Sequence, residues 1–163
     1  MIMTDAPNST IEKFDFPDNV IRDYRYWTVM MRPKQITLGC LVIACKEQGE
    51  RLPDLSMEAF AELQHVTGEV ESTLETLFDY DKINYCALMM VDKHVHWHVI
   101  PRYASEREAV GVVFEDQNWP KPPVFGPGKT LSGAEFAAIR KKIRQEWVIQ
   151  ASAEEATQAV RAL

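Results

Sequence analysis

Hydrophobic residues recur along this chain with two different periods, and the changes of period mark out its predicted elements. Residues 24–31 (YRYWTVMM) and 38–45 (LGCLVIAC) are short β-branched or aromatic runs separated by Arg32-Pro33-Lys34. Runs of this kind around a polar, proline-containing break read as two strands, and a hairpin is their simplest connection. After Pro53 the period lengthens: Phe60, Leu63, Val70, Leu74 and Leu77 follow at steps of three, four or seven. That spacing lays them on one stripe of a helix over about residues 56–78. Asp54 and Ser56 are its candidate caps, and Glu58 suits its positive N-terminal end.

Strand-like character returns at 83–91 (INYCALMMV) and 94–103 (HVHWHVIPRY), joined by the turn-capable pair Asp92-Lys93. From 104 to 130 the chain reads as irregular, because Trp119-Pro120-Lys121-Pro122-Pro123 and Gly126-Pro127-Gly128 cannot continue a ladder. Ser132 with Glu135 forms a capping box for a helix to about 149, whose apolar face holds Phe136, Ile139, Ile143 and Trp147. Ser152 with Glu155 repeats the device and predicts a second, short helix ending at Leu163. The basic residues Arg140, Lys141, Lys142 and Arg144 fall on the far side of the amphipathic helix and read as a solvated face. Residues 1 to about 20, with Pro7 and Pro17 and no steady period, read as an arm. The organisation expected is an arm over 1–21, a core domain over 22–103 and a C-terminal extension over 104–163. Strand pair, helix, strand pair and terminal helices give an α+β fold, with helices gathered on an antiparallel sheet.

Composition narrows the functional classes. Hydrophobic residues at 46% and charged ones at 26% lie near globular averages and exclude disorder or a fibrous repeat. No apolar run approaches the roughly 20 residues of a membrane span, and the opening MIMTDAPNST has neither a basic nor an apolar leader segment, so a cytoplasmic protein without a membrane partner is expected. A net charge of −6 argues against extended nucleic acid as a partner, which would demand many Lys and Arg contacts. A single nucleotide needs only a few local donors. Cys40, Cys45 and Cys86 lie in apolar stretches without C-x-x-C spacing, so reduced thiols are expected.

Three of the four histidines occupy positions 94, 96 and 98. A strand alternates its side chains, so His94, His96 and His98 project from one face while Val95, Trp97 and Val99 project from the other. Five strand residues span roughly 13 Å, too far for all three imidazoles to gather around one zinc ion without bending the strand. Two of them with a remote ligand, His65 or a carboxylate, could still hold a metal, although His65, between Leu63 and Val66 on the helix, reads as a surface or core-edge residue. The alternative uses all three. A neutral imidazole can attack phosphorus, and flanking imidazoles about 6 to 7 Å away can hydrogen-bond phosphoryl oxygens or fix the nucleophile's tautomer.

The segment 93–102 (KHVHWHVIPR) resembles the signature of the histidine triad family of nucleotide hydrolases and transferases, His-φ-His-φ-His-φ-φ with φ apolar. The resemblance extends back through 37–43 (TLGCLVI), the helix after Pro53 and the strand before the triad, and covers roughly 22–103. It implies a homodimer with a sheet continuous across the interface, no cofactor, and a covalent nucleotidyl-histidine intermediate on a small nucleotide substrate. By position His96 is the nucleophile and His94 and His98 are the supporting pair. Trp119-Pro120 and Pro123-Val124-Phe125-Gly126 are similar to a stretch in short-loop relatives. Arg102 and Trp119 are the nucleotide-binding candidates, one for phosphate and one for stacking on a base. The chain also departs from the family pattern. Cys40 stands where many members carry a fourth histidine, and 89–93 (MMVDK) runs into the triad without the usual Gly-rich loop bearing Gln or Ser. Met90 cannot donate a hydrogen bond, Asp92 could orient an imidazole, and His98 is left as the candidate donor to a leaving group. A nucleotide-binding module without turnover, and a metal protein using two triad histidines, are the other readings.

Overall fold

The computed structural model describes residues 6–162. The first five residues of the expected arm, and the expected helix end at Leu163, lie outside the described residues. Five strands form one antiparallel sheet: β1 (Val20–Asp23), β2 (Trp27–Met31), β3 (Leu41–Cys45), β4 (Lys82–Cys86) and β5 (His96–Arg102), in the order β1-β2-β3-β5-β4. Helix α1 (Ser9–Lys13) precedes the sheet, α2 (Met57–Phe78) connects β3 to β4, and α3 (Gly133–Arg161) ends the chain. This is the expected α+β architecture, an antiparallel sheet with a long helix and a C-terminal helix against it.

Alternation along the strands divides the interior. Val29, Met31, Leu41, Ile43 and Val99 turn to one face, where they meet Val66, Val70 and Leu74 of α2 and Ile139, Ile143 and Trp147 of α3. Met30, Val42 and Ala44 turn to the other and meet Ile11 and Phe14 of the α1 segment. The stripe that α2 buries is Ala59, Val66, Val70 and Leu74, with Phe60, Leu63 and Leu77 at its margin. That is the predicted helix, rotated by about one residue. Ser56 caps it by accepting from the Ala59 amide, as expected. Helix α3 keeps the predicted apolar face and the Ser132–Glu135 capping box. The Trp147 indole donates to the buried Glu69 carboxylate, which also accepts from the Tyr24 hydroxyl, so one carboxylate ties α3 to α2 and to the start of the sheet.

Several expectations are corrected by long-range contacts. The N-terminal segment, read only as an arm, carries elements of its own: the Asn8 side chain caps α1 and donates to the Cys45 carbonyl, and β1 pairs with β2. The strand expected over 83–91 stops at Cys86, and the regular part of the next begins at His96. The irregular stretch contains a hairpin, β6 (Arg107–Ala109) and β7 (Val112–Phe114). One helix replaces the two expected at the C-terminus: Ser152 lies inside α3, its hydroxyl donating to the Val148 carbonyl rather than capping a new start. Arg144, expected in water, is half-buried and donates to the Val20 and Asp18 carbonyls.

Candidate histidine site

The triad lies on the α1 face of the sheet, and the strand register puts it there. Ala44 pairs with His96 and Val42 with His98 on one side of β5, and Cys86 pairs with His98 on the other. Although β5 begins at His96, its alignment with β3 continues one step further, since the Cys45 amide donates to the Val95 carbonyl and the Val95 amide to the Gly49 carbonyl. Val95 and Val99 pack into the α2–α3 core with Trp97 at its edge, so the alternation expected along 94–99 holds. His94, His96 and His98 are 7%, 2% and 8% exposed, which makes the site a covered cleft and not a solvated face.

Hydrogen bonds fix the imidazoles unequally. His96 Nδ1 lies 2.8 Å from the His94 backbone oxygen. A carbonyl can only accept, so Nδ1 carries the proton and the Nε2 lone pair is free. His94 Nδ1 lies 3.3 Å from the Thr10 hydroxyl on α1, and the His94 amide donates to the same hydroxyl. His98 packs edge-on to His96 with ring centroids 5.0 Å apart, and its buried Nδ1 has no hydrogen-bond partner. Burial foremost, then the neighbouring His96 and Arg32, pushes His98 down to about 4. Burial also pushes His94 downward, with Lys93 adding to the effect.

Two aromatic rings close the cleft. Phe14, at the end of α1, has its ring centroid 6.2 Å from His96 and 6.3 Å from His98. Phe125 packs edge-on to His98, with ring centroids 5.3 Å apart. Phe125 is brought there by the loop tie between the Lys129 amide and the Gln35 carbonyl. Gln35 also organises the turn between β2 and β3, donating to the Arg32 and Cys40 carbonyls and accepting from the Cys40 amide. Within that turn Gly39 has φ +81, and a Cβ there would meet the Phe78 ring at 2.9 Å, so the residue before Cys40 requires glycine on both counts.

The remaining sequence candidates lie around this centre. Arg102 shares the triad's parity, but its guanidinium is turned into a buried pair with Asp116, both side chains 4% exposed, and also donates to Asn84 and to the Lys121 carbonyl. Trp119 is half-buried in the loop that this pair anchors, and lines a groove along β4 that reaches Cys86. Asp92 pairs with Lys13 at 2.6 Å and orients no imidazole. His65 is on the surface of α2, 3.4 Å from the Glu69 carboxylate. Cys40 and Cys45 are buried free thiols and Cys86 a half-buried one. Burial pushes all three thiols up, which keeps them protonated near neutral pH. Among the described residues no three His, Cys, Asp or Glu side chains are gathered to hold a metal ion. Thr10, Phe14 and Arg32 were not site candidates in the sequence, and Phe125 stood out only within the stretch similar to short-loop relatives. An Asn cap before Ile11 was the one local signal for α1, and nothing local marks the other contacts.

Imidazoles on alternate residues of an inner strand, covered by one face of a short helix, define a histidine triad protein. The HIT domain model matches residues 16–105, more than half of the chain, and the chain belongs to that family. Solved structures agree on the fold. A histidine triad protein from Sinorhizobium meliloti is 21% identical with a TM-score of 0.67, covering 89% of this chain and 99% of its own. A hypothetical histidine triad nucleotide-binding protein from Sulfolobus tokodaii is 17% identical with a TM-score of 0.65, covering 85% and 89%. A zinc-bound histidine triad family protein from Mycobacterium smegmatis is 16% identical with a TM-score of 0.56, covering 83% and 90%. No curated protein sequence matches the chain.

Proposed function

We propose that this protein is a nucleotide hydrolase or nucleotidyltransferase that works through a covalent nucleotidyl-histidine on His96, on a small nucleotide conjugate in the cytoplasm. The reading rests on the contact between His96 Nδ1 and the His94 carbonyl. With the proton held on Nδ1, Nε2 attacks the nucleotide phosphorus. The bond from phosphorus to the leaving group breaks with its electron pair going to the departing atom. The imidazolium that forms keeps its Nδ1–H on the carbonyl, which stabilises the developing positive charge. Water or another acceptor then attacks phosphorus and the N–P electron pair returns to His96, while the acceptor's proton passes to solvent.

His98 is neutral near pH 7 and contributes a hydrogen bond to a phosphoryl oxygen rather than a full proton to the leaving group. The preferred substrates therefore depart readily as anions, as an aryl or imidazolide conjugate does, and alkoxide conjugates are slow. Arg102 spends four of its five N–H donors on Asp116, Asn84 and the Lys121 carbonyl, and its role is to hold the 116–121 loop beside the cleft. The sheet ends at β4, next to the exposed Leu88, Met90 and Val91, and a second copy of the chain is the partner that would continue it. Replacing His96 by Ala tests the reading. Turnover of an adenylyl aryl ester falls by at least about a thousandfold while the unfolding transition keeps its cooperativity. Activity kept within about tenfold would sink the assignment.

A further inference from the structure

Arg32 stands on the triad face, two strands away from His98. The Arg32 amide donates to the Cys40 carbonyl, continuing the β2–β3 ladder in which Met30 faces Val42, and Val42 in turn faces His98. Residues two apart share a face, so Arg32 projects with Met30 into the triad's cleft. Strands lie about 4.8 Å apart, which sets the Arg32 backbone about 10 Å from β5, a gap an extended arginine side chain can largely span. The guanidinium lies 5.9 Å from the centroid of Phe125, the same ring that meets His98 at 5.3 Å between centroids. Arg32 is half-buried, it donates one hydrogen bond to the Lys34 carbonyl, and no carboxylate of the described residues lies within ion-pair distance of it. By contrast, Arg102 on the same face has Asp116.

A partly desolvated cation without a counter-charge is costly unless an anion completes it. His98 Nδ1, buried and without a hydrogen-bond partner, belongs to the imidazole that meets the same Phe125 ring. Burial and His96, with Arg32 adding to them, keep His98 neutral, which leaves the arginine as the recess's fixed charge. We propose that Arg32 forms, with His98 and Phe125, a subsite for a second phosphoryl group of the nucleotide, distinct from the phosphorus attacked by His96. Such a group comes from either of two places, the leaving group, as in a nucleoside diphosphate, or the ribose, as in a nucleoside bisphosphate. The inference rests on the nucleotide reading of the cleft and adds the charge pattern of the substrate.

Calorimetric titration of the full chain with AMP, ADP and adenosine 3′,5′-bisphosphate separates the cases. Wild type is expected to bind ADP or the bisphosphate about ten- to a hundredfold more tightly than AMP, the range of a charge-assisted hydrogen bond. In Arg32→Gln that preference collapses to within about threefold with AMP affinity little changed, and Arg32→Lys restores part of it. Tighter binding of ADP alone assigns the second phosphoryl to the leaving group, and of the bisphosphate alone to the ribose. Equal affinity for all three ligands in wild type, or an Arg32→Gln loss that is the same for AMP as for the others, overturns the subsite while leaving the nucleotide reading intact. Wild type that binds none of the three overturns both.

Discussion

At His98 three influences act in one direction. Burial removes the imidazole from water, and His96 and Arg32 oppose a further positive charge, so its protonation is deferred from the ordinary 6.5 to about 4. As pH falls, the unfolded chain takes up this proton first, and the folded chain resists until about pH 4. The stabilisation from His98 is therefore complete above about pH 6.5 and disappears progressively between there and about pH 4, amounting to about 3 kcal/mol. Urea unfolding of wild type and His98→Gln at several pH values across that window checks the sign. Wild type should lose more stability on acidification than the variant, and parallel curves would contradict the buried neutral imidazole. The triad itself was legible because a period of two on a strand fixes which side chains share a face. Thr10, Phe14, Arg32 and Phe125 were not, because each reaches the histidines from a distant part of the chain, and only the packing of α1 and the tie at Gln35 brings them in.

Single elements show the same division between local and non-local information. The α2 and α3 helices were readable from period and capping, whereas the hairpin β6–β7 was hidden. Its two-residue turn puts Val110 at φ 51 and Gly111 at φ 77, and a β-branched residue is a poor advertisement for a left-handed turn position. Arg102 shows why parity alone is not enough. The strand stays regular past Pro101 and sets Arg102 on the expected face, but Asp116, fourteen residues on, takes its guanidinium. Removing that carboxylate leaves a buried charge uncompensated, so Asp116→Ala should lower stability by about 3 to 5 kcal/mol in denaturant unfolding. If Arg102 acts by holding its loop, the AMP affinity of folded Asp116→Ala stays within about threefold of wild type. A gain of tenfold or more in AMP affinity would show that the freed guanidinium reaches nucleotide.

For the whole molecule, the two periods foretold an α+β fold with helices gathered on an antiparallel sheet, and the structure puts α2 and α3 on one face and α1 on the other. The α1 layer turns a strand of histidines into a covered cleft. No helix among the described residues is long and apolar enough to cross a membrane. The free edge at β4 and the exposed Met90 and Val91 beside it carry the expectation of a homodimer. Sedimentation equilibrium should give twice the chain mass, and Met90→Lys with Val91→Lys should shift the population toward monomer. A wild-type chain that stays monomeric at high micromolar concentration would remove the dimer and require another cover for that edge.

A bond between His96 and phosphorus is the step on which the proposed chemistry depends. Rapid mixing of the protein with an excess of adenylyl aryl ester, followed by alkaline quench to preserve a phosphoramidate and by peptide mass mapping, reads that bond directly. We expect a burst of one aryloxide per active site and one adenylyl group on the peptide that contains His96, with both lost in His96→Ala. Steady turnover without a burst, or an adenylyl group mapped to any other residue, would contradict it.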